Sequence, residues 1–232
     1  VYNVVRVKLG LMVKIGVFDS GIGGQAVAER LQQLFPSIEV LFVNDSKNVP
    51  YGSRRRTDII ELTDRAIQPL LQANCDAIVI ACNTATTNAI SDLRSMHPDV
   101  HFVGIEPMIK PASQLTKSGV IAVLATPSTL SSRRYAELKQ QWASMFTVLE
   151  PDCSNWAELI EHGQLERIDV QSVVGDVSHW GADVIVLGCT HYHWLKDRIH
   201  AAAGPAIRIL EPTDAIGARL DSLLSIDSVL PE

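Results

Sequence analysis

Two cysteines in this 232-residue chain, Cys82 and Cys189, stand in matching surroundings. Each closes an apolar run that begins with aspartate, Asp76-Ala77-Ile78-Val79-Ile80-Ala81-Cys82 and Asp183-Val184-Ile185-Val186-Leu187-Gly188-Cys189. Each is followed by hydrogen-bonding residues, Asn83-Thr84 and Thr190-His191. A thiol at the carboxyl end of a buried strand and just before a helix sits where open α/β sheets bind ligands. The positive end of the helix dipole also favours the thiolate. Two lobes facing each other with one such thiol apiece would hold a base on one face of a carbon and an acid on the other. Racemisation and epimerisation are that reaction, each thiol serving as base in one direction and acid in the reverse. Cys75 and Cys153 have no such counterpart and read as structural.

Other groups could assist. Asp19-Ser20-Gly21-Ile22-Gly23-Gly24 follows an apolar run and opens a helical pattern, so its glycines let backbone amides approach an anion such as a carboxylate. It is not a GxGxxG fingerprint and no Walker lysine follows, which argues against a nucleotide. Val49-Pro50-Tyr51-Gly52 reads as a turn that could point amides inward. His191 stands close enough to Cys189 in sequence to act as an electrostatic helper. Glu161 falls in a helical stretch and is undistinguished by its spacing.

The elements that must position these groups alternate. Strands are predicted at 13–18, 39–44, 76–81, 100–105, 119–125, 146–150, 183–188 and 207–210, most of them continuously apolar, as strands buried on both faces of a parallel sheet must be. Helical patterns lie at 24–34, 54–73, 84–96, 128–142, 166–180, 191–202 and 213–224. The alternation predicts an α/β protein with helices on both sheet faces. Residues 15–20 echo 122–127, and 76–84 echo 183–191, both 107 positions on; Ile105-Glu106-Pro107 echoes Leu210-Glu211-Pro212. The ordered echoes predict two similar lobes with crossings near 105–112 and 205–212. The expected division is 12–106 plus 208–232 for the first lobe and 107–207 for the second, with 1–11 an extension upstream of Met12.

Composition narrows the class. A chain that is 47% hydrophobic and 20% charged is an ordinary globular protein, and its size needs no disulfide or metal to hold a core. Net charge is −6, which argues against a general nucleic-acid binder, and Arg54-Arg55-Arg56 reads as a solvated face. No run approaches the ~18 apolar residues of a membrane span, and the first residues lack the ordered pattern of a signal peptide. The cysteines form no CxxC and no cluster at zinc spacing, so no metal is expected. Free thiols and a cytoplasmic location are the expectation.

The segments GVFDSGIGG (16–24), VPYGSR (49–54), DAIVIACNTAT (76–86), IKPA (109–112), VLATPSTL (123–130) and VLGCTHY (186–192) together resemble the glutamate racemases of the cofactor-independent aspartate/glutamate racemase superfamily. The likeness runs from about residue 13 to about 217. It implies two three-layer αβα lobes related by a pseudo-twofold axis, with the active site between them, no cofactor and a homodimer. It also implies L- and D-glutamate as substrates, with D-glutamate going to peptidoglycan. By matching motifs, Cys82 and Cys189 would be the acid/base thiols, Cys82 acting on D-glutamate and Cys189 on L-glutamate. Asp19 would sit beside the first thiol, and His191 with a carboxylate beside the second. Asp19, Ser20, Tyr51, Gly52, Asn83, Thr84, Thr190 and His191 would bind substrate. CSNWAELIE (153–161) looks like a diverged form of the segment that supplies the carboxylate, which would make it Glu161. His193 stands where the family commonly has proline, and the C-terminal end is short. Two other readings carry different expectations. An aspartate or hydantoin racemase would share the scaffold, and a related decarboxylase would lack one thiol. A non-catalytic ligand-binding module would need neither cysteine.

Overall fold

A computed structural model of the chain describes residues 12–226, so the expected extension at 1–11 lies outside the described residues. The first sheet contains β1 (Lys14–Asp19), β2 (Glu39–Asn44), β3 (Ala77–Ile80) and β4 (Phe102–Gly104) in the order β2-β1-β3-β4. The second contains β5 (Val120–Ala125), β6 (Thr147–Leu149), β7 (Val184–Gly188) and β8 (Arg208–Leu210) in the order β6-β5-β7-β8. Every pairing is parallel. The two sheets therefore repeat one topology, as the 107-residue echo predicts.

Both faces of each sheet are covered. Alternation along β1 sends Ile15 and Val17 to one side, where α1 (Gly24–Leu34) lays down Val27, Leu31 and Leu34. Phe18 faces the other side with Ile78 and Ile80, under α2 (Arg56–Ala66), α3 (Gln68–Gln72) and α4 (Asn83–Met96). Gly16 leaves room for α3, since a Cβ there would meet Leu70 Cδ1 at 2.9 Å. In the second sheet Ala122, Leu124, Ile185 and Leu187 face α8 (Trp156–Glu161), α9 (Val170–His179) and α10 (Lys196–Ala203). Ile121, Val123, Val184 and Val186 face α5 (Ile109–Leu115) and α7 (Arg133–Trp142). The apolar runs are thus strands buried on both sides of a three-layer sandwich.

Several helices differ from the sequence reading. The pattern at 54–73 divides into α2 and α3 next to Pro69, which lacks an amide to continue the ladder. The pattern at 128–142 divides into α6 (Pro127–Leu130) and α7, because the Ser132 side chain accepts from the Tyr135 amide and starts a new helix. Residues Thr190–Leu195 form a tight 3-10 turn before α10. The expected lobe boundary before residue 208 falls in the wrong place: Arg208–Leu210 pairs with β7, so β8 belongs to the second sheet. The return crossing is Glu211-Pro212. It leads into α11 (Thr213–Leu224), whose Ile216 and Leu220 join the first lobe's core beside α1.

Candidate active site

The strand ends of the two sheets meet. Cys82 ends the loop after β3 and is the N-cap of α4, its sulfur accepting from the Ala85 amide at 3.4 Å. Ser20 Oγ lies 3.2 Å from the same sulfur. Cys189 follows β7 in the equivalent place, with His191 Nδ1 3.6 Å from its sulfur. The other nitrogen of that ring, Nε2, is paired with Glu161 Oε1 at the end of α8. Both cysteines are buried, as are Asp19, Ser20, Asn83, Thr84 and His191.

Asp19 ends β1 between the two lobes. Its Oδ1 accepts from the Gly21 amide at 2.8 Å and its Oδ2 from Thr190 Oγ1, across the cleft, at 2.9 Å. Gly24 must lack a side chain for this turn, because a Cβ would lie 2.3 Å from that of Asp19. A second crossing joins Thr84 Oγ1 to Thr126 Oγ1 at 2.8 Å, with Thr126 donating to Thr129 at 3.1 Å. In a third, the Gly52 carbonyl accepts from the Ser128 amide at 3.0 Å.

The two thiols have different neighbours. Burial pushes the Cys82 thiol up, and the neighbouring Asp19 charge adds to it against the hydrogen bonds from Ser20 and Ala85, giving about 12. Burial likewise raises Asp19, partly offset by His191 and the two hydrogen bonds it accepts. Beside Cys189, burial opposes charging of His191, yet its hydrogen bonds to Cys189 and Glu161 outweigh that and hold its pKa well above the ordinary value. Burial also works against the Glu161 anion, but donation from His191 and the Ile22 amide leaves its pKa below the usual one. The two ends of the site therefore differ: Cys82 lies beside Ser20 and the buried Asp19, and Cys189 beside the His191–Glu161 pair.

Most sequence-nominated residues converge here, including Glu161, whose segment carried the weakest likeness. Tyr51 is placed differently: its hydroxyl donates to Asp45 at 2.7 Å and its ring packs near Phe18, while Gly52 lies against the second lobe, where a Cβ would meet that of Thr126 at 3.0 Å. Asn83 Oδ1 is buried with no protein partner. A narrow, partly open cleft reaches Asn83, Cys189 and Thr190 from the side of Ile105 and Thr213, and Cys82 is not among its lining residues. His193 pairs with Glu211, Nδ1 to Oε2 at 3.4 Å, on that side. Sequence reasoning missed Thr126, although it stands at the echo offset from Asp19, and missed the part played by Ile22. Among the described residues no group of three His, Cys, Asp or Glu side chains is placed to hold a metal ion.

The parallel two-lobed sandwich with a thiol at each facing strand end defines the class. Residues 17–219 match the model of the Asp/Glu/Hydantoin racemase family, and the chain belongs to that family. Among its relatives, a glutamate racemase of Ectopseudomonas mendocina is 38% identical over 220 residues, covering 93% of this chain and 84% of that one. One of Herpetosiphon aurantiacus is 39% identical, covering 93% and 86%. The solved Escherichia coli glutamate racemase, in complex with L-glutamate and the activator UDP-MurNAc-ala, has a TM-score of 0.79 at 29% identity, covering 94% of this chain and 84% of that chain. The Aquifex pyrophilus glutamate racemase has a TM-score of 0.74 at 31% identity, covering 91% and 84%.

Proposed function

We propose that this chain interconverts L- and D-glutamate by two-base proton transfer between Cys189 and Cys82. The observation that carries the reading is the placement of the two buried thiols at equivalent strand ends, each with its own supporting group. Cys189, backed by His191 and Glu161, removes the α-proton of L-glutamate, and the electron pair of the C–H bond is left as a carbanion delocalised into the α-carboxylate. The Cys82 S–H then protonates the opposite face to give D-glutamate. The enzyme is left with a Cys189 thiol and a Cys82 thiolate, which reset through exchange with water and their neighbours. In the reverse direction Cys82 takes the proton from D-glutamate, helped by Asp19. Asp19, Ser20, the Tyr51-Gly52 backbone, Asn83, Thr84, Thr190 and His191 bind the ammonium and carboxylates. The unpaired Asn83 Oδ1 supports this, since a buried acceptor calls for a donor such as an ammonium.

The product would supply peptidoglycan synthesis in the cytoplasm, a location supported by four free cysteines, and the working form would be a homodimer. Chiral chromatography of D- and L-glutamate, then aspartate, incubated with purified protein tests the reading. Inversion of glutamate is expected. Inversion of aspartate alone would move the assignment to a sister racemase, and binding without inversion would reduce the chain to a ligand-binding module.

A further inference from the structure

One oxygen of Glu161 serves two donors that come from different lobes. Oε1 pairs with His191 Nε2 of its own lobe and accepts from the Ile22 amide of the first lobe at 2.8 Å. The Ile22 side chain meanwhile packs against the second lobe's core cluster, so both its backbone and its side chain are committed across the cleft. Its neighbour Gly21 is equally constrained. A Cβ there would lie 1.8 Å from Glu161 Oε1 and 2.9 Å from His191 Nε2. Gly21 does not have a positive φ, so contact rather than backbone conformation excludes a side chain. Gly23 repeats the pattern two residues on, its Cβ position being 2.7 Å from Thr190 Oγ1 and 2.8 Å from the His191 amide nitrogen.

A carboxylate that ends a short helix has rotamer freedom unless something fixes it. Here the fixing donor and the space both belong to the opposite lobe. We propose that Gly21 and Ile22 are positioning residues for the second thiol: they hold Glu161 against His191, so that Cys189 is set for proton transfer when the lobes are closed on each other. This rests on the racemase reading for its purpose, but the geometry can be tested without turnover.

The test is the rate of iodoacetamide alkylation at neutral pH, followed separately for Cys189 and Cys82 by peptide mass spectrometry. In Gly21→Ala the carboxylate must leave His191, and Cys189 should react about tenfold more slowly while Cys82 changes by less than about twofold. Glu161→Ala should produce the same loss. The double variant Gly21→Ala/Glu161→Ala should be no slower than Glu161→Ala, because the carboxylate that the added methyl group displaces is already gone. Additive losses, or an unchanged Cys189 rate in Gly21→Ala, would overturn the proposal. Should Gly21→Ala fail to fold, amide exchange decides: Ile22 should be protected in the native protein and exposed in Glu161→Ala, and unaltered protection overturns the assignment. Failure of the racemase reading would appear separately, as native protein that does not invert glutamate.

Discussion

Thr190, the residue after one thiol, donates its hydroxyl to Asp19 beside the other, across the cleft, at 2.9 Å. The reciprocal grip comes from Thr84, two residues after Cys82, bonded to Thr126 of the second lobe at 2.8 Å. Each lobe's first strand therefore leads to a residue that grips the other lobe within two residues of its cysteine. Removing one grip should be costly because Asp19 is fully buried. Thr190→Val is expected to destabilise by about 1–3 kcal/mol, the cost of an under-satisfied buried acceptor, seen as a lower Tm. L- and D-glutamate are enantiomers of equal free energy, so kcat/KM must fall equally in both directions. A variant with native Tm and native turnover would refute the role of this contact.

Cys82→Ser and Cys189→Ser should each abolish net inversion, while Cys75→Ala leaves it largely intact. In the proposed two-base transfer each thiol serves one face of the substrate, so neither can replace the other. In D₂O the first product molecules should carry deuterium at the α-carbon, because the donating thiol has exchanged with solvent before substrate arrives. Early product that keeps the substrate's own proton, read by mass spectrometry, would exclude the two-thiol route.

Asp19→Asn removes the carboxylate beside Cys82 while preserving the size of the side chain. Its effect should fall more on kcat than on KM, since a group acting on the thiol is felt in the transition state. A loss of at least about tenfold in kcat is expected from one misplaced proton-transfer partner. A change confined to KM would make Asp19 a substrate clamp.

Glu211 gives a pH-dependent prediction. Burial alone would raise its carboxyl, but hydrogen bonds from His193 and Thr213 and the charge of Lys196 bring it down to about 2 from 4.5. A carboxyl depressed on folding stabilises the protein fully above its unfolded value and loses that stabilisation as pH falls through the folded one. The group is partly exposed, so screening limits the effect to roughly 1–2 kcal/mol. Glu211→Gln should lower Tm at neutral pH, and the gap from the native protein should narrow below pH 4.5 as the native carboxyl protonates. A gap that stays constant down to about pH 3 would show that Glu211 acts by packing instead.

The strands, their parallel burial, the repeat of one lobe in the other and the two thiols were legible in the sequence, because each is local. A strand covered on both faces is a short apolar run, and β2, α1 and α11 stand at 39–44, 24–34 and 213–224 as their patterns required. The site's cross-lobe contacts left no such trace. Glu161 and Ile22 are 139 residues apart and Thr84 and Thr126 are 42 apart, and no periodicity links either pair. Thr126 also caps α6, which is a sufficient local reason for a threonine there and conceals its second partner. The same limit applies to β8, whose three residues look alike in either lobe until the ladder to β7 assigns them. Sequence thus determined which groups exist and which strand ends carry them. The docking of the lobes decided which carboxylate faces which thiol, since that depends on distances between surfaces that no stretch of chain encodes alone.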